Sequence, residues 1–428
     1  MVKAFGFAPS ALRLTALMIL SPATAWAASP NRPSDVMMDK TFRAAVQQAQ
    51  ATIAAGDLNT ATAQVSALTP ATPVEKYAAA GLRMEIASRK SDAQGQRKAL
   101  NDMLESRATP PGEEPRLRFL SGYYSFVVGN YDDVIAQLDY AKQLGYDPLE
   151  ATMLRADSQF RRGKKAEGLA YLKEAMERQK AAGRPVPATW YDRAISFSYQ
   201  LGAWSDVAQW YQQKLAAYPG PQNWRSGIVN YLSAPGMDTQ VQLDLRRLQA
   251  ATGAMASERD YQEYAALAAD NGYDAEAKAI IEAGRSNGKL PANDVKTVAL
   301  LKKITPKVKK YMAGLPAAEK KAASAPNGSP AMAVGDDYFS LGQYPQAATQ
   351  YRLALSKGGV DAQRVNTRLG VALARSGDLA GGRTALAQVS GNWANDARFW
   401  GVWLDEQAKV AGGGAHASND MQAVAPAS

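Results

Sequence analysis

Residues 334–354 read VGDDYFSLGQYPQAATQYRLA. Small residues stand at Gly335, Ala347 and Ala354, rings stand at Tyr338, Tyr344 and Tyr351, and Gly342 lies between the two halves. Small side chains let two helices cross closely while rings fill the remaining gaps, and a glycine past a helix end readily takes the left-handed conformation of a tight turn. The stretch therefore predicts a helix, a short turn at Gly342 and a second helix packed back on the first.

The same grid recurs on both sides. Upstream, Gly122, Gly129, Tyr131, Leu138 and Ala141 are followed by Ala156, Gly163, Leu172 and Ala175, so the turn glycines lie 34 residues apart. A third set, Tyr191, Gly202, Trp204, Tyr211 and Pro219, is displaced to 39 residues because 181–187 lengthens the connection. Nearer the N-terminus, Gly56, Ala61, Val65 and Pro73 fit, whereas the next unit keeps Tyr77, Gly81 and Met84 without a turn glycine near Ser88. Trp224, Tyr231 and then Tyr261, Ala265, Gly272, Ala277 and Ile281 extend the array, and Leu369, Gly370, Leu373, Gly377 and Leu386 follow the opening stretch 35 residues after Gly342. Asp396, Phe399, Trp400, Val402 and Trp403 predict a terminal helix covering the last open face.

This pattern resembles the tetratricopeptide repeat family over most of 41–389. The resemblance implies an all-α fold, an α-solenoid of helix-turn-helix repeats wound into a right-handed superhelix, and protein or peptide binding in a concave groove. The expected divisions are a leader at 1–27, a tether at 28–40, an N-terminal array at 41–290, lysine-rich divergent helices with a flexible hinge at 291–330, a C-terminal pair with a capping helix at 331–409, and a disordered Gly- and Ala-rich tail at 410–428. Within 291–330, Val295, Val298, Leu301, Ile304, Val308 and Tyr311 recur at helical spacing, with Thr305-Pro306 as the start of a second helix.

A chain of 428 residues exceeds the usual size of one hydrophobic core, so several domains or a stacked array are required. Its 46% hydrophobic and 21% charged residues are ordinary for globular material. Lys3 and Arg13, the apolar run at 14–20 and Ala25-Trp26-Ala27 have the three-part form of a secretory leader cleaved after Ala27, with an apolar run too short to span a bilayer. That predicts a periplasmic or secreted protein, and with no cysteine it has no disulfides to stabilise it. Removing Lys3 and Arg13 lowers the formal charge from +9 to +7, and nine lysines against Asp294 and Glu319 between 289 and 321 account for all of it. Such a local block is unlike nucleic-acid-binding patterns. Lys302, Lys303, Lys307, Lys309 and Lys310 are candidates for weak contact with an anionic surface. The other reading of the block is a solvated helix pair whose lysine stems cover apolar surface.

With His416 the one histidine and cysteine absent, Ser-His, Cys-His and ordinary zinc chemistry lack their residues. No cofactor or metal is expected, and no catalytic residue is assigned. Glu113-Glu114, Asp132-Asp133 and Asp336-Asp337 could serve a glycan-active enzyme as paired acids, but the first two pairs fall where helices should begin, where carboxylates complement the helix dipole. The alternative function is thus a glycan-binding or glycan-active envelope protein. The main expectation is a non-enzymatic scaffold in cell-envelope or polysaccharide assembly.

If the family's groove positions carry over from the turn glycines, they fall on Arg116, Phe119, Tyr123 and Phe126, then Met153, Asp157, Phe160 and Arg161, then Asp192, Tyr199 and Gln200. Rings beside arginine suit interface hot spots. The lysine and asparagine clamp that some members use for a C-terminal carboxylate is missing, since Tyr123, Asp157 and Ser196 occupy its place. A register shift of one residue would return the rings to the core.

Overall fold

The computed structural model describes residues 38–422, their side chains through residue 410. The leader and most of the tether lie outside these residues. No strand occurs among the described residues, and the chain divides into two compact units at Val186/Pro187.

The first unit holds four antiparallel hairpins: α1 (Lys40–Ala54) with α2 (Leu58–Ser66), α3 (Pro73–Arg89) with α4 (Ala93–Glu105), α5 (Glu114–Val127) with α6 (Tyr131–Gln143), and α7 (Leu149–Arg161) with α8 (Lys165–Ala181). Local chemistry starts and stops them. At α3, Thr72 Oγ1 accepts from the Glu75 amide at 3.3 Å while the Glu75 carboxylate accepts from the amides of Thr72 and Ala71, at 3.0 and 2.8 Å. This reciprocal cap satisfies amides that the first helical turn leaves free. The other Glu75 oxygen accepts from the Asp39 amide at 3.0 Å and so ties α3 to the start of α1. Gly129 and Gly163 end their helices at φ +83° and +77°, as the 34-residue spacing requires. In the hairpin without a turn glycine, Ser91 takes that position at φ +55°.

Glycines inside the helices do a second job. A Cβ on Gly122 would approach Leu138 at 3.3 Å, one on Gly370 would meet Leu386 at 2.7 Å, and one on Gly335 would meet the Tyr351 ring at 2.7 Å. In each of the three hairpins the large residue lies sixteen positions after the glycine. For Gly335 the close neighbour is the ring of Tyr351.

The second unit contains α9 (Ala188–Gln200), α10 (Trp204–Ala217), α11 (Pro221–Tyr231), α12 (Thr239–Ala251), α13 (Glu258–Asp270), α14 (Asp274–Ser286), α15 (Val295–Ser324), α16 (Ser329–Ser340), α17 (Tyr344–Lys357), α18 (Ala362–Arg375), α19 (Leu379–Ala387) and α20 (Ala394–Gln422). Two expectations change here. The Thr305-Pro306 pair does not begin a helix: Asp294 caps α15 by accepting from the Thr297 amide at 2.9 Å, and both Pro306 and Pro316 lie inside the 30-residue helix. The segment expected as a hinge is helical through Ser324 and is tied down. Lys357 Nζ donates to the carbonyls of Ala323 and Ala325 at 2.8 and 2.6 Å, and the Gly328 amide donates to the Gly358 carbonyl at 2.7 Å. The boundary between units falls at the proline-rich connection before α9 instead.

The terminal helix also does more than cover the last hairpin. Phe399, Trp400, Trp403 and Leu404 are buried, and α20 packs on α10 and α12 as well as on α18 and α19. Trp224 Nε1 donates to Glu406 at 3.0 Å, and Gln212 donates to the Asn395 carbonyl at 3.1 Å. The backbone of α20 continues to Gln422, into residues whose composition predicts disorder.

Candidate functional site

The groove residues expected from sequence separate into two groups. Phe119 (5% exposed), Met153 (9%) and Asp157 (6%) are interior, which corrects their assignment to a binding face. Phe119 belongs to the first unit's core and meets Tyr146 edge-on at 5.7 Å, because the neighbouring hairpins cover its side of α5. Tyr123 and Phe126 are half-buried and pack on that same core. The ring of Phe160 lies so close over Gly168 that a Cβ there would fall 2.4 Å from it. Arg116 is half-buried, and Arg161, Asp192, Tyr199 and Gln200 are exposed.

The recurring ring three residues before the turn glycine has an internal explanation. Phe126 meets Tyr131 at 5.6 Å, Tyr199 meets Trp204 at 4.9 Å and Phe339 meets Tyr344 at 5.4 Å, each an edge-on pair across the turn. The periodic aromatic therefore packs its own hairpin across the turn. Glu113-Glu114 and Asp132-Asp133 lie at the starts of α5 and α6, where their charge complements the helix dipole. Asp336-Asp337 lies inside α16 and has a different role.

The densest polar chemistry lies within the second unit, assembled from helix faces. Gln240, Asp244 and Arg247 occupy one stripe of α12, Arg364 and Arg368 one stripe of α18, and Asp336 and Ser340 one stripe of α16. Arg368, 1% exposed, spends its whole guanidinium there. It donates from Nε to Asp244 at 3.3 Å, from one terminal nitrogen to Asp336 and the Tyr273 hydroxyl, both at 2.8 Å, and from the other to Gln240 at 2.7 Å. Arg247 forks onto Glu276 at 2.8 and 2.6 Å and also pairs with Asp244. It stacks over Tyr273 and Phe339, at 4.8 and 4.7 Å from their ring centres. Asp336 further accepts from the Tyr351 hydroxyl at 2.7 Å and from Arg364 at 2.7 Å, and the Tyr264 hydroxyl donates to Glu276 at 2.5 Å.

Burial opposes the charge of both interior arginines, yet the facing carboxylates outweigh it and hold Arg247 and Arg368 as cations. Burial would likewise raise Asp336, but Arg368 and Arg364 keep it below the usual carboxylate range. Burial raises the phenols of Tyr264, Tyr273 and Tyr351. Burial and then the neighbouring Asp336 push Asp337 up to about 6.

Asp396 is the exception. It is 0% exposed, and neither carboxyl oxygen has a hydrogen-bond partner among the described residues. Burial and then Asp244 raise it well above the carboxylate range, against the opposing pull of Arg368 and Arg247. Three guanidiniums, those of Arg247, Arg364 and Arg368, thus face Asp244, Glu276 and Asp336, and burial favours the neutral form of the fourth carboxyl.

Beside this cluster opens a cleft of about 430 Å³, within the range of small-ligand and side-chain pockets. Tyr264, Phe339, Tyr344 and Trp400 line it, with Met312 and Arg375. Trp400 is 2% exposed, and its indole N–H has no acceptor among the described residues. Arg375 is exposed, stacks over Tyr344 at 5.1 Å and has no carboxylate partner among the described residues. Sequence reading recognised Asp336-Asp337 as a pair and Trp400 as a capping residue but assigned neither to a site. The polar stripe Gln240, Asp244, Arg247 on one helix face is the signal that could have found the cluster.

No protein-family model matches the chain, and no curated protein matches it. Among solved structures it is similar to the TPR2AB domain of yeast Sti1 in complex with pHSP90, at 14% identity over 69% of this chain and 96% of that one, TM-score 0.24. It is also similar to the TPR domain of P58(IPK), at 14% identity over 79% and 98%, TM-score 0.24. A third is the pentatricopeptide repeat protein PPR10 from maize, at 14% identity over 86% of this chain and 57% of that one, TM-score 0.31. Likenesses of this size carry no inference about ligand or activity. The hairpins themselves, with their turn glycines and glycine-to-large-residue crossings, make this an all-α repeat protein of the tetratricopeptide type.

Proposed function

We propose that the chain is a non-enzymatic scaffold that holds a protein or peptide partner, exported to the periplasm or beyond and serving cell-envelope assembly. The observation that carries the binding part is the cleft beside α20, walled by Tyr264, Phe339, Tyr344 and Trp400 with the exposed Arg375 beside them. An apolar side chain can fill the space among these rings, while the Arg375 guanidinium, which has no carboxylate partner among the described residues, can meet an acidic group beside it. The proposed partner therefore presents an apolar side chain next to a carboxylate. The non-enzymatic part is supported by the absence of cysteine, by the single His416, and by buried carboxylates already committed to arginines. Export rests on the leader pattern of residues 1–27.

A photo-crosslinking residue placed at Met312, 46% exposed on the cleft wall, should capture a partner from native extract. The same residue at Val127, 50% exposed on the first unit, should not. Arg375→Gln, which keeps the stem and removes the charge, should weaken capture at Met312. Equal labelling at Met312 and Val127, unaffected by Arg375→Gln, would sink the cleft reading. Mature protein beginning at residue 28 in the periplasmic fraction would support export, and an intact leader in the cytoplasm would refute it.

A further inference from the structure

We infer that the outer face of α15 is a docking surface for an anionic lipid bilayer. Ile304, Val308, Leu315 and Ala322 are buried and define the inner side of this helix. Lys302, Lys303, Lys309, Lys310, Lys320 and Lys321 recur after two and then three turns, which places all six on the opposite side, and all are exposed. At 1.5 Å per residue the row spans about 28 Å.

None of the six makes an ion pair with any described residue, whereas Lys307, on the flank, lies 3.8 Å from Asp274. The one acid along the helix, Glu319, is half-buried and accepts from Gln350 at 3.3 Å. The face therefore carries a single sign of charge with no ion-pair partner among the described residues, and the rest of the chain after residue 27 sums to zero net charge.

The rest of the face favours a lipid surface over another polyanion. Ala299, Pro306, Ala313 and Ala317 fill the spaces between the lysines and keep the face low. Val295 (81% exposed) and Val298 (46%) stand bare at one end. Lysine stems can lie along such a surface while their ammonium groups reach headgroup phosphates, and the exposed valines can enter the interface. The face has no arginine to fork onto nucleic-acid phosphates and no ring to stack on bases.

Sedimentation of the full-length chain with vesicles tests this. Phosphatidylcholine vesicles containing phosphatidylglycerol should bind it at low salt, and raised salt should release it. Pure phosphatidylcholine vesicles measure whatever the apolar run at 14–20 contributes. Replacing the six lysines with glutamine, a good helix former, should lower affinity for the anionic vesicles by about 100-fold or more, with the melting curve retained. Unchanged affinity in that variant would overturn the proposal. So would salt-independent binding of the original protein, a readout that stands even if the variant fails to fold. Tighter binding to duplex DNA than to the anionic vesicles at equal salt would reassign the face to nucleic acid.

Discussion

The two units solve the problem of stacking helices with different interiors. In the first, the core is apolar and each link is local: Phe119, Leu120, Leu138 and Leu154 interdigitate between neighbouring hairpins. Its buried arginine, Arg155, serves residues close in the chain, with Asp147 at 2.8 Å and the Leu138 carbonyl at 2.7 Å. In the second unit, Arg368 reaches Asp244 and Gln240, 124 and 128 positions away, and α20 folds back onto α10 and α12. A stack of hairpins needs only contacts between neighbours. The second unit adds a charged clasp at its centre, so its stability depends on residues far apart in sequence.

The sharpest way to break that contrast is Arg368→Ala. It leaves Asp244 and Asp336 buried without their main partner and should cost about 3–5 kcal/mol. Hydrogen exchange should accelerate in α12, α16 and α18 while the first unit keeps its protection. An equal loss of protection in both units would show that the clasp is not confined to the second.

Asp396→Asn comes next and has a defined pH sign. The carboxyl of Asp396 is raised in the folded state, so its neutral form is the stable one there. Stability is intact below the unfolded carboxylate value and is lost as pH rises toward the raised folded value. Asparagine does not titrate. The variant should therefore gain on the original protein as pH rises above the unfolded carboxylate value of about 4, by up to about 1.4 kcal/mol per pH unit. Asp336 has the opposite sign: its contribution is present at neutral pH and is lost only as pH falls through its lowered value. Denaturant midpoints that run parallel across this range would mean that Asp396 ionises freely.

The smallest effect compares one crossing from each unit. Gly335→Ala drives a methyl to 2.7 Å from a Tyr351 ring that is held by Asp336 and cannot retreat, so a loss of about 1–3 kcal/mol is expected. Gly122→Ala meets Leu138 at 3.3 Å and the Gln137 Cβ at an ordinary 3.4 Å, and a small rotation of the Leu138 side chain should relieve it. Its melting temperature should stay near that of the original protein, and a larger loss for Gly122→Ala than for Gly335→Ala would reverse the ranking.

The hairpins were legible because their causes are local. A glycine at a turn and a small residue opposite a large one act within about sixteen positions, and a periodic pattern displays them directly. Residues 291–330 were misread for a related reason: two prolines and many lysines suggest breaks, but α15 is held by the apolar side that packs on α14 and α16. The aromatic groove failed at Phe119 because exposure depends on whether another hairpin covers that side of the helix, and the repeat grid does not encode this.

By itself, then, the sequence determined the repeat, the turn positions and the local excess of lysine, all properties of residues near one another in the chain. Only the tertiary structure decided which rings are interior, which lysines share a face, and that Asp244, Asp336, Arg368 and Asp396 meet. Folding brings those four together from α12, α16, α18 and α20, and the low dielectric of a shared interior gives their charges a common fate that no spacing along the chain reveals.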